Sequence, residues 1–301
     1  MTNPNTLLVE CGRLMKLQHW ALTAALLSVG ATASVGAIAR SYQQIGASRT
    51  VLATVVDTRG RSIVDLEADD FVVRETGQLR DVLSVRVADY PIVLVLDNGP
   101  GAGRDLDAIR QAAARFIGRV GHRPVAVALS DPPRLLATLD DDRAVVMERL
   151  GHVTGSMSTE GLFQSIVNAA RSVQETGAPF SAIVVLSATP VSSVPPEVLT
   201  PILESGAAVH VVVNREASAV ADGSAGRPSE TLRVLSQETH GQFTTIYSAA
   251  SYQVALDRLA DRLAPELMLE YVVPVGSSSG NDVSLGVRIP GARVNGRGVT
   301  K

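Results

Sequence analysis

One stretch constrains the fold more than any other: the run Pro91-Ile92-Val93-Leu94-Val95-Leu96, then Asp97, a small-residue loop and a periodic helix. The run is apolar at every position, so a strand built from it is buried on both faces. That requires a sheet with helices on both sides. The helix that starts near Asp105 repeats Leu106, Ile109, Ala113, Phe116, Ile117 and Val120 at intervals of three and four, a single apolar stripe lying on a core. A strand that ends in an aspartate and turns into a helix marks the place where an open α/β sheet builds its binding site. The loop here, Asp97-Asn98-Gly99-Pro100-Gly101-Ala102-Gly103, offers one carboxylate, one amide and no hydroxyl.

Strand and helix patterns alternate from Pro91 onward. Strands are expected at 92–96, 125–129, 182–186, 209–213 and 243–247. Helices are expected at 162–173, 197–203 behind Pro195-Pro196, 229–238 and 252–263. A shorter helix with Val145, Val146, Met147 and Leu150 is capped by Asp141 or Asp142. Residues 217–228, rich in Gly, Ala and Ser, read as a loop. Upstream, 51–56, 71–74 and 82–87 read as short strands separated by turns at 57–60 and 75–78. Strands this short cannot close a core alone. The missing partners are 267–273 and 283–289, joined through the Gly/Ser-rich turn 276–280.

The expected fold is therefore α/β: a three-layer, doubly wound, mostly parallel sheet with a small β-sandwich module built from both chain ends. The sandwich takes residues 50–88 and 265–301, and the α/β domain takes 90–264.

Several segments carry a family resemblance. They are Val51-Leu52-Ala53-Thr54-Val55-Val56-Asp57-Thr58-Arg59-Gly60-Arg61, then Leu66-Glu67-Ala68-Asp69-Asp70-Phe71-Val72-Val73-Arg74-Glu75-Thr76-Gly77. Two more are Val234-Leu235-Ser236-Gln237-Glu238-Thr239-His240-Gly241 and Glu266-Leu267-Met268-Leu269-Glu270-Tyr271. Together with the order of elements they resemble the von Willebrand factor type A domain, in its secreted bacterial form, over roughly residues 50–295. The resemblance implies protein binding at the carboxyl edge of the sheet, where oxygens from three loops hold a divalent cation. A hard cation of that kind needs near-octahedral oxygen ligation. The family's first loop reads Asp-x-Ser-x-Ser; here Asp97 remains, but Gly99 and Gly101 replace both serines. In the second loop Glu160 takes the place of a threonine, with Thr159 one residue early. In the third, Ser187-Ala188-Thr189 stands where an aspartate-glycine pair is usual.

These departures lead us to expect no metal or other cofactor, so Mg²⁺ or a similar cation is not predicted. A residual ligand set would consist of Asp97, Glu160 and Ser187. Without a cation, the bland role of Asp97 is to cap the following helix or to order its own loop. Contact with a partner is expected from Asp97, Asn98, Arg104, Thr159, Glu160 and Thr189.

The remaining composition excludes other classes. The net charge is −3 with no basic stripe, which argues against nucleic acid as a partner. Cys11 is the only cysteine, so no intramolecular disulfide is available. The five histidines, His19, His122, His152, His210 and His240, include no pair at zinc-helix spacing. No Gly-x-Ser-x-Gly nucleophile elbow occurs, and Gly99–Gly103 lacks the Gly-Lys-Ser/Thr ending of a phosphate loop. Residues 1–39 read as a secretory signal or as a membrane anchor, followed by a linker at 40–49.

The expected protein is secreted or periplasmic, or anchored with its globular part exported. It is a non-enzymatic recognition module for an unknown envelope or extracellular protein. The alternative is a structural scaffold that uses the sandwich surface. A minor alternative is residual cation-dependent adhesion through Asp97 and Glu160.

Overall fold

Alternation decides which way each central residue points. In strand β5 (Ile92–Leu96), Ile92, Leu94 and Leu96 enter one apolar core while Val93 and Val95 enter the other, because successive strand residues face opposite sides of a sheet. The computed structural model describes residues 47–158, 161–188, 196–215, 230–274 and 282–299. All of them lie in one compact unit, Gln43–Lys301.

β5 is flanked in parallel by β6 (Val125–Leu129) and β8 (Ala182–Ser187). β9 (Ala208–Asn214) and β10 (Phe243–Ile246) extend the sheet in parallel. β7 (Arg134–Ala137) closes the other edge antiparallel to β6. The order β10-β9-β8-β5-β6-β7 means that the chain first winds away from β5 on one side and then on the other. The reversal falls between β5 and β8.

Helices α1 (Leu106–Arg119), α2 (Arg143–Gly151) and α6 (Ser251–Leu263) bury Ile109, Phe116, Leu150, Tyr252 and Leu256 in one core. Helices α3 (Leu162–Glu175), α4 (Pro196–Glu204) and α5 (Glu230–Glu238) bury Ile166, Val173, Ile202, Leu232 and Leu235 in the other. Each fully buried Leu or Ile of these layers contributes about 1.5–3 kcal/mol. The expected three-layer architecture is the one the chain adopts.

The two chain ends also meet as expected. β1 (Ala47–Val56) pairs antiparallel with β11 (Leu267–Val273) and with β13 (Arg293–Val299), and β11 pairs with β4 (Val82–Val87). This gives a sheet in the order β13-β1-β11-β4, facing a second sheet of β12 (Val283–Val287), β2 (Phe71–Glu75) and β3 (Gln78–Arg80). Val51, Ala53, Val55, Phe71, Val73, Leu269 and Tyr271 form the core between the sheets. Within it Glu75, 1 % exposed, pairs with Arg49 and lies 3.3 Å from Arg80 Nε. The Tyr271 hydroxyl donates to it at 3.4 Å.

On the opposite face of the four-stranded sheet, Leu52 and Met268 join the α/β core instead. There Ala88 N–H donates to the Glu266 carbonyl at 2.8 Å, and the Tyr90 hydroxyl donates to the Glu266 carboxylate. Arg123 lies 3.4 Å from that carboxylate and 4.6 Å from the centre of the Tyr90 ring.

Several elements depart from the sequence reading. β3, β7 and β13 were not expected. β3 falls partly in the anticipated turn, β7 is a short edge strand beyond Pro132-Pro133, and β13 carries Gly296 and Gly298, which weaken any strand signal. β1 begins at Ala47, inside the stretch read as linker. Asp142 occupies the N-cap of α2 without a side-chain cap bond. Asp141 instead accepts from Thr138 N–H at 2.7 Å and from Arg149 at 2.9 Å, so it orders the turn before the helix. The segments 1–39, 217–228 and 276–280 lie outside the described residues. Among the described residues no helix is long and apolar enough to cross a membrane.

Candidate functional site

The reversal of winding places the carboxyl ends of β5, β6, β8 and β9 along one edge. The first polar residue after each apolar run gathers there: Asp97 and Asn98 after β5, Ser130 after β6, Ser187 ending β8 and Asn214 ending β9. All five are buried, Asp97 and Asn98 at 2 % exposure and Ser187 at 0 %. Buried polar groups must be hydrogen-bonded or they cost stability, and here the bonds close on one another.

Asp97 is wrapped by donors. Its Oδ1 accepts from Gly99 N–H at 3.0 Å and lies 3.4 Å from Ser130 Oγ, whose one proton is shared with the nearer Asn98 Oδ1. Its Oδ2 accepts from Ala188 N–H at 3.0 Å and from Ser187 Oγ at 3.5 Å. Its own N–H donates to the Leu186 carbonyl at 2.9 Å. The carboxylate orders the turn that follows it and ties β5 to β8; it does not cap α1, whose N-cap is Asp105.

Asn98 stitches the other side. Its Oδ1 accepts from Asp131 N–H at 2.9 Å and Ser130 Oγ at 3.0 Å. Its Nδ2 donates to the carbonyls of Asp131 at 2.7 Å and Thr154 at 3.1 Å. Its carbonyl accepts from Ser156 N–H at 2.7 Å.

One phenol and one amide complete the floor. The buried Tyr252 hydroxyl donates to the Ser187 carbonyl at 3.1 Å. Burial, and then the charges of Asp97 and Asp105, push this phenol far above the ordinary tyrosine range. Asn214 Nδ2 donates to Asp105 at 2.7 Å, tying the start of α1 to β9. Gly161, at the N-cap of α3, is required by close approach: a Cβ there would lie 1.7 Å from the Ser130 carbonyl oxygen.

Of the residues singled out from sequence, Asp97, Asn98 and Ser187 come together in this network. Arg104 stands exposed in the loop between β5 and α1. Thr159, Glu160 and Thr189 lie outside the described residues. Sequence reasoning missed Ser130, Asn214 and Tyr252, although the first two were visible as the first polar residue after an apolar run. It also missed Met157, 88 % exposed in the loop beside Asn98.

A hard divalent cation fits poorly here. Both Asp97 oxygens already accept protein donors, Gly99 and Gly101 bring no side-chain oxygen, and the third loop supplies Ala188 in place of a carboxylate. Among the described residues no three His, Cys, Asp or Glu side chains are grouped as a metal site.

Neither a protein-family model nor a curated protein matches the chain. Solved structures do match in shape. An aerotolerance-related membrane protein from Bacteroides fragilis is 16 % identical, covers 57 % of this chain and 99 % of its own, and has a TM-score of 0.45. Proximal thread matrix protein 1 from the mussel byssus is 11 % identical over 69 % of this chain and 50 % of its own, at 0.46. The von Willebrand factor domain of a type V pili tip protein from Porphyromonas gingivalis is 12 % identical over 58 % and 95 %, at 0.43. At such identities and scores these likenesses carry no functional argument. The assignment of a von Willebrand type A-like fold rests on the strand order and layering described above.

Proposed function

We propose that this chain is a non-enzymatic protein-recognition module that acts in the cell envelope or outside the cell. It contacts its partner through the loops above the carboxyl edge of the sheet, without a bridging cation. The observation that carries the reading is the closed network around Asp97 and Asn98. It ties the start of the β5–α1 loop to the Ser156–Met157 segment as one platform and leaves Asp97 engaged inside the protein. Met157 and Arg104 are both exposed on these loops, one an apolar side chain and the other a charge. Such pairs suit the centre and rim of a protein interface. In sequence Thr159 and Glu160 follow Met157 in its loop and Thr189 follows Ser187 and Ala188 in the loop after β8, and the proposal includes all three.

Affinity capture from envelope and secreted fractions, with and without EDTA, followed by cross-link mapping, tests this. Capture should survive EDTA and weaken in Met157→Asp and in the double charge reversal of Arg104 and Glu160. Loss of capture in EDTA would restore the cation-dependent reading through Asp97 and Glu160. A second reading is favoured by the exposure of Leu79, Leu83 and Val87, at 57 %, 54 % and 50 %, on β3 and β4. In that reading the sandwich is the contact surface of a scaffold, and the cross-links would fall there.

A further inference from the structure

The four-stranded sheet ends at β4, and its ladder shows which backbone groups that edge leaves open. Ala88 N–H donates to the Glu266 carbonyl, and Arg86 and Ser84 stand opposite Met268 and Glu270. Hydrogen-bonded and non-bonded pairs alternate along an antiparallel ladder. Residues 84, 86 and 88 therefore bond to β11, while Val85 and Val87 turn their N–H and C=O groups outward. Among the described residues none of these outward groups has a partner. Proline or lysine often blunts such an edge, but Val82-Leu83-Ser84-Val85-Arg86-Val87 has neither. Leu83 and Val87 stand exposed on it, and a register shift between Glu270 and Tyr271 leaves Leu83 outside the ladder with β11.

The strand is complementary to itself. Laid antiparallel on a second β4 with a two-fold axis at Val85, it sets Val85 against Val85, Ser84 against Arg86 and Leu83 against Val87. The N–H and C=O of Val85 then bond to their counterparts, and each exposed Leu83 covers a Val87, since a two-fold interface repeats every contact. The charges fit as well. On the face turned away from the sandwich core, Ser84 Oγ donates to Glu270 at 3.4 Å. Among the described residues no ion pair reaches Glu270, nor Asp81 just before the strand. Arg86 of the second copy, opposite the short Ser84, extends over it to Glu270. Within its own chain Arg86 pairs with Asp89, their side chains 51 % and 59 % exposed, and a pair so open to solvent holds its arginine weakly. Moving the axis to Arg86 would set like charges directly opposite one another, so the charges select the axis at Val85.

We propose that two copies of this chain join edge to edge through β4, making one sheet continuous across both. This deepens the scaffold reading of the sandwich by naming the occupant of its exposed strand, and it is independent of the platform around Asp97 and Asn98. Purified protein tests it with no envelope partner present, so its failure and a failure of partner capture are separate results.

Sedimentation equilibrium of the full chain over a concentration series should show a monomer–dimer equilibrium. Arg86→Glu and Glu270→Arg should each weaken the dimer about tenfold or more, because each opposes like charges twice across the axis. An equal mixture of the two variants should recover it, since in the mixed dimer every charge meets its opposite; repulsion inside one chain is not relieved by mixing. Val85→Pro removes an outward N–H without costing a bond to β11 and should leave the chain monomeric. Val87→Pro, at a half-exposed position, serves if the first proline variant does not fold, and thermal melting identifies the folded variants. A dimer unchanged in the folded proline variant, or no recovery on mixing, would overturn the assignment. So would a chain that is monomeric at every concentration, which leaves the edge to an extended segment of another protein.

Discussion

At the carboxyl edge of the parallel sheet, Asp97 is held by Gly99 N–H, Ala188 N–H and two serine hydroxyls, all neutral donors. In the sandwich core, Glu75 is held by two arginines, Arg49 and Arg80. Both carboxylates are almost fully buried, but they answer for different things. The arginines come from β1 and β3, on opposite sheets, so the ion cluster is a cross-link between layers. The neutral donors around Asp97 come from its own loop, from the residue after β6 and from the end of β8, so that network fixes the shape of the sheet's carboxyl edge. Removing the first strands buried charge; removing the second forfeits hydrogen bonds but leaves no opposite charge behind.

The comparison can be broken most drastically by cutting the chain. β1 and β4 find their ladders on β11 and β13, and β2 pairs with β12 as well as β3. A fragment of residues 48–88 should therefore show no cooperative thermal transition, whereas 90–264 should fold. A two-state melt of the short fragment would mean that the sandwich does not depend on both ends.

Next in size, Glu75→Ala should cost about 3–5 kcal/mol in urea unfolding, because Arg49 and Arg80 are left buried without their counter-charge. A loss below about 1 kcal/mol would show that water reaches the cluster and neutralises the argument. Asp97→Asn keeps the shape but turns one acceptor into a donor facing N–H groups, and should cost about 1–3 kcal/mol. If it costs as much as Glu75→Ala, the two regions are not held differently.

A smaller effect separates surface electrostatics from both. Arg115 and Arg119 on α1 bind Asp257 on α6 and hold its carboxyl below the ordinary range, the Arg115 hydrogen bonds first. A depressed folded pKa contributes stability above the ordinary carboxylate range and loses it as pH falls through the lowered value. The urea midpoint of Asp257→Asn should thus trail the parent at neutral pH and converge with it in acid. A gap that persists in strong acid would assign the loss to packing.

The smallest expected effect is none. Millimolar Mg²⁺, Mn²⁺ or Ca²⁺ should leave the Tm where EDTA leaves it, since a ligand of the folded state would raise it by mass action. A cation-specific rise that disappears in Asp97→Ala would reinstate a metal site.

The layers were legible because their signal is strong: fully apolar strands such as 92–96 and 125–129, and helices with unbroken stripes, admit one architecture. β13 was not, because Arg293-Val294-Asn295-Gly296-Arg297-Gly298-Val299 has too little apolar alternation. Its place is decided by β1, far away in sequence. At the site, the replacement of both loop-one serines of the resembled pattern by Gly99 and Gly101 could be read directly. What surrounds Asp97 in their stead could not, because Ser130 and Tyr252 reach Asp97 and Ser187 only through tertiary contact. The joining of Arg49, Glu75 and Arg80 was hidden for the same reason.

The enclosure of Asp97 has a consequence for design. Gly99 donates its N–H to the very carboxylate that a cation would need, and Ala188, just after β8, does the same. A serine placed at position 99, or an aspartate at 188, would add one oxygen beside an acid whose two oxygens already accept these donors, and each would disturb bonds in use. Building a cation site at this edge therefore takes several changes made together, since no one of them brings a benefit by itself.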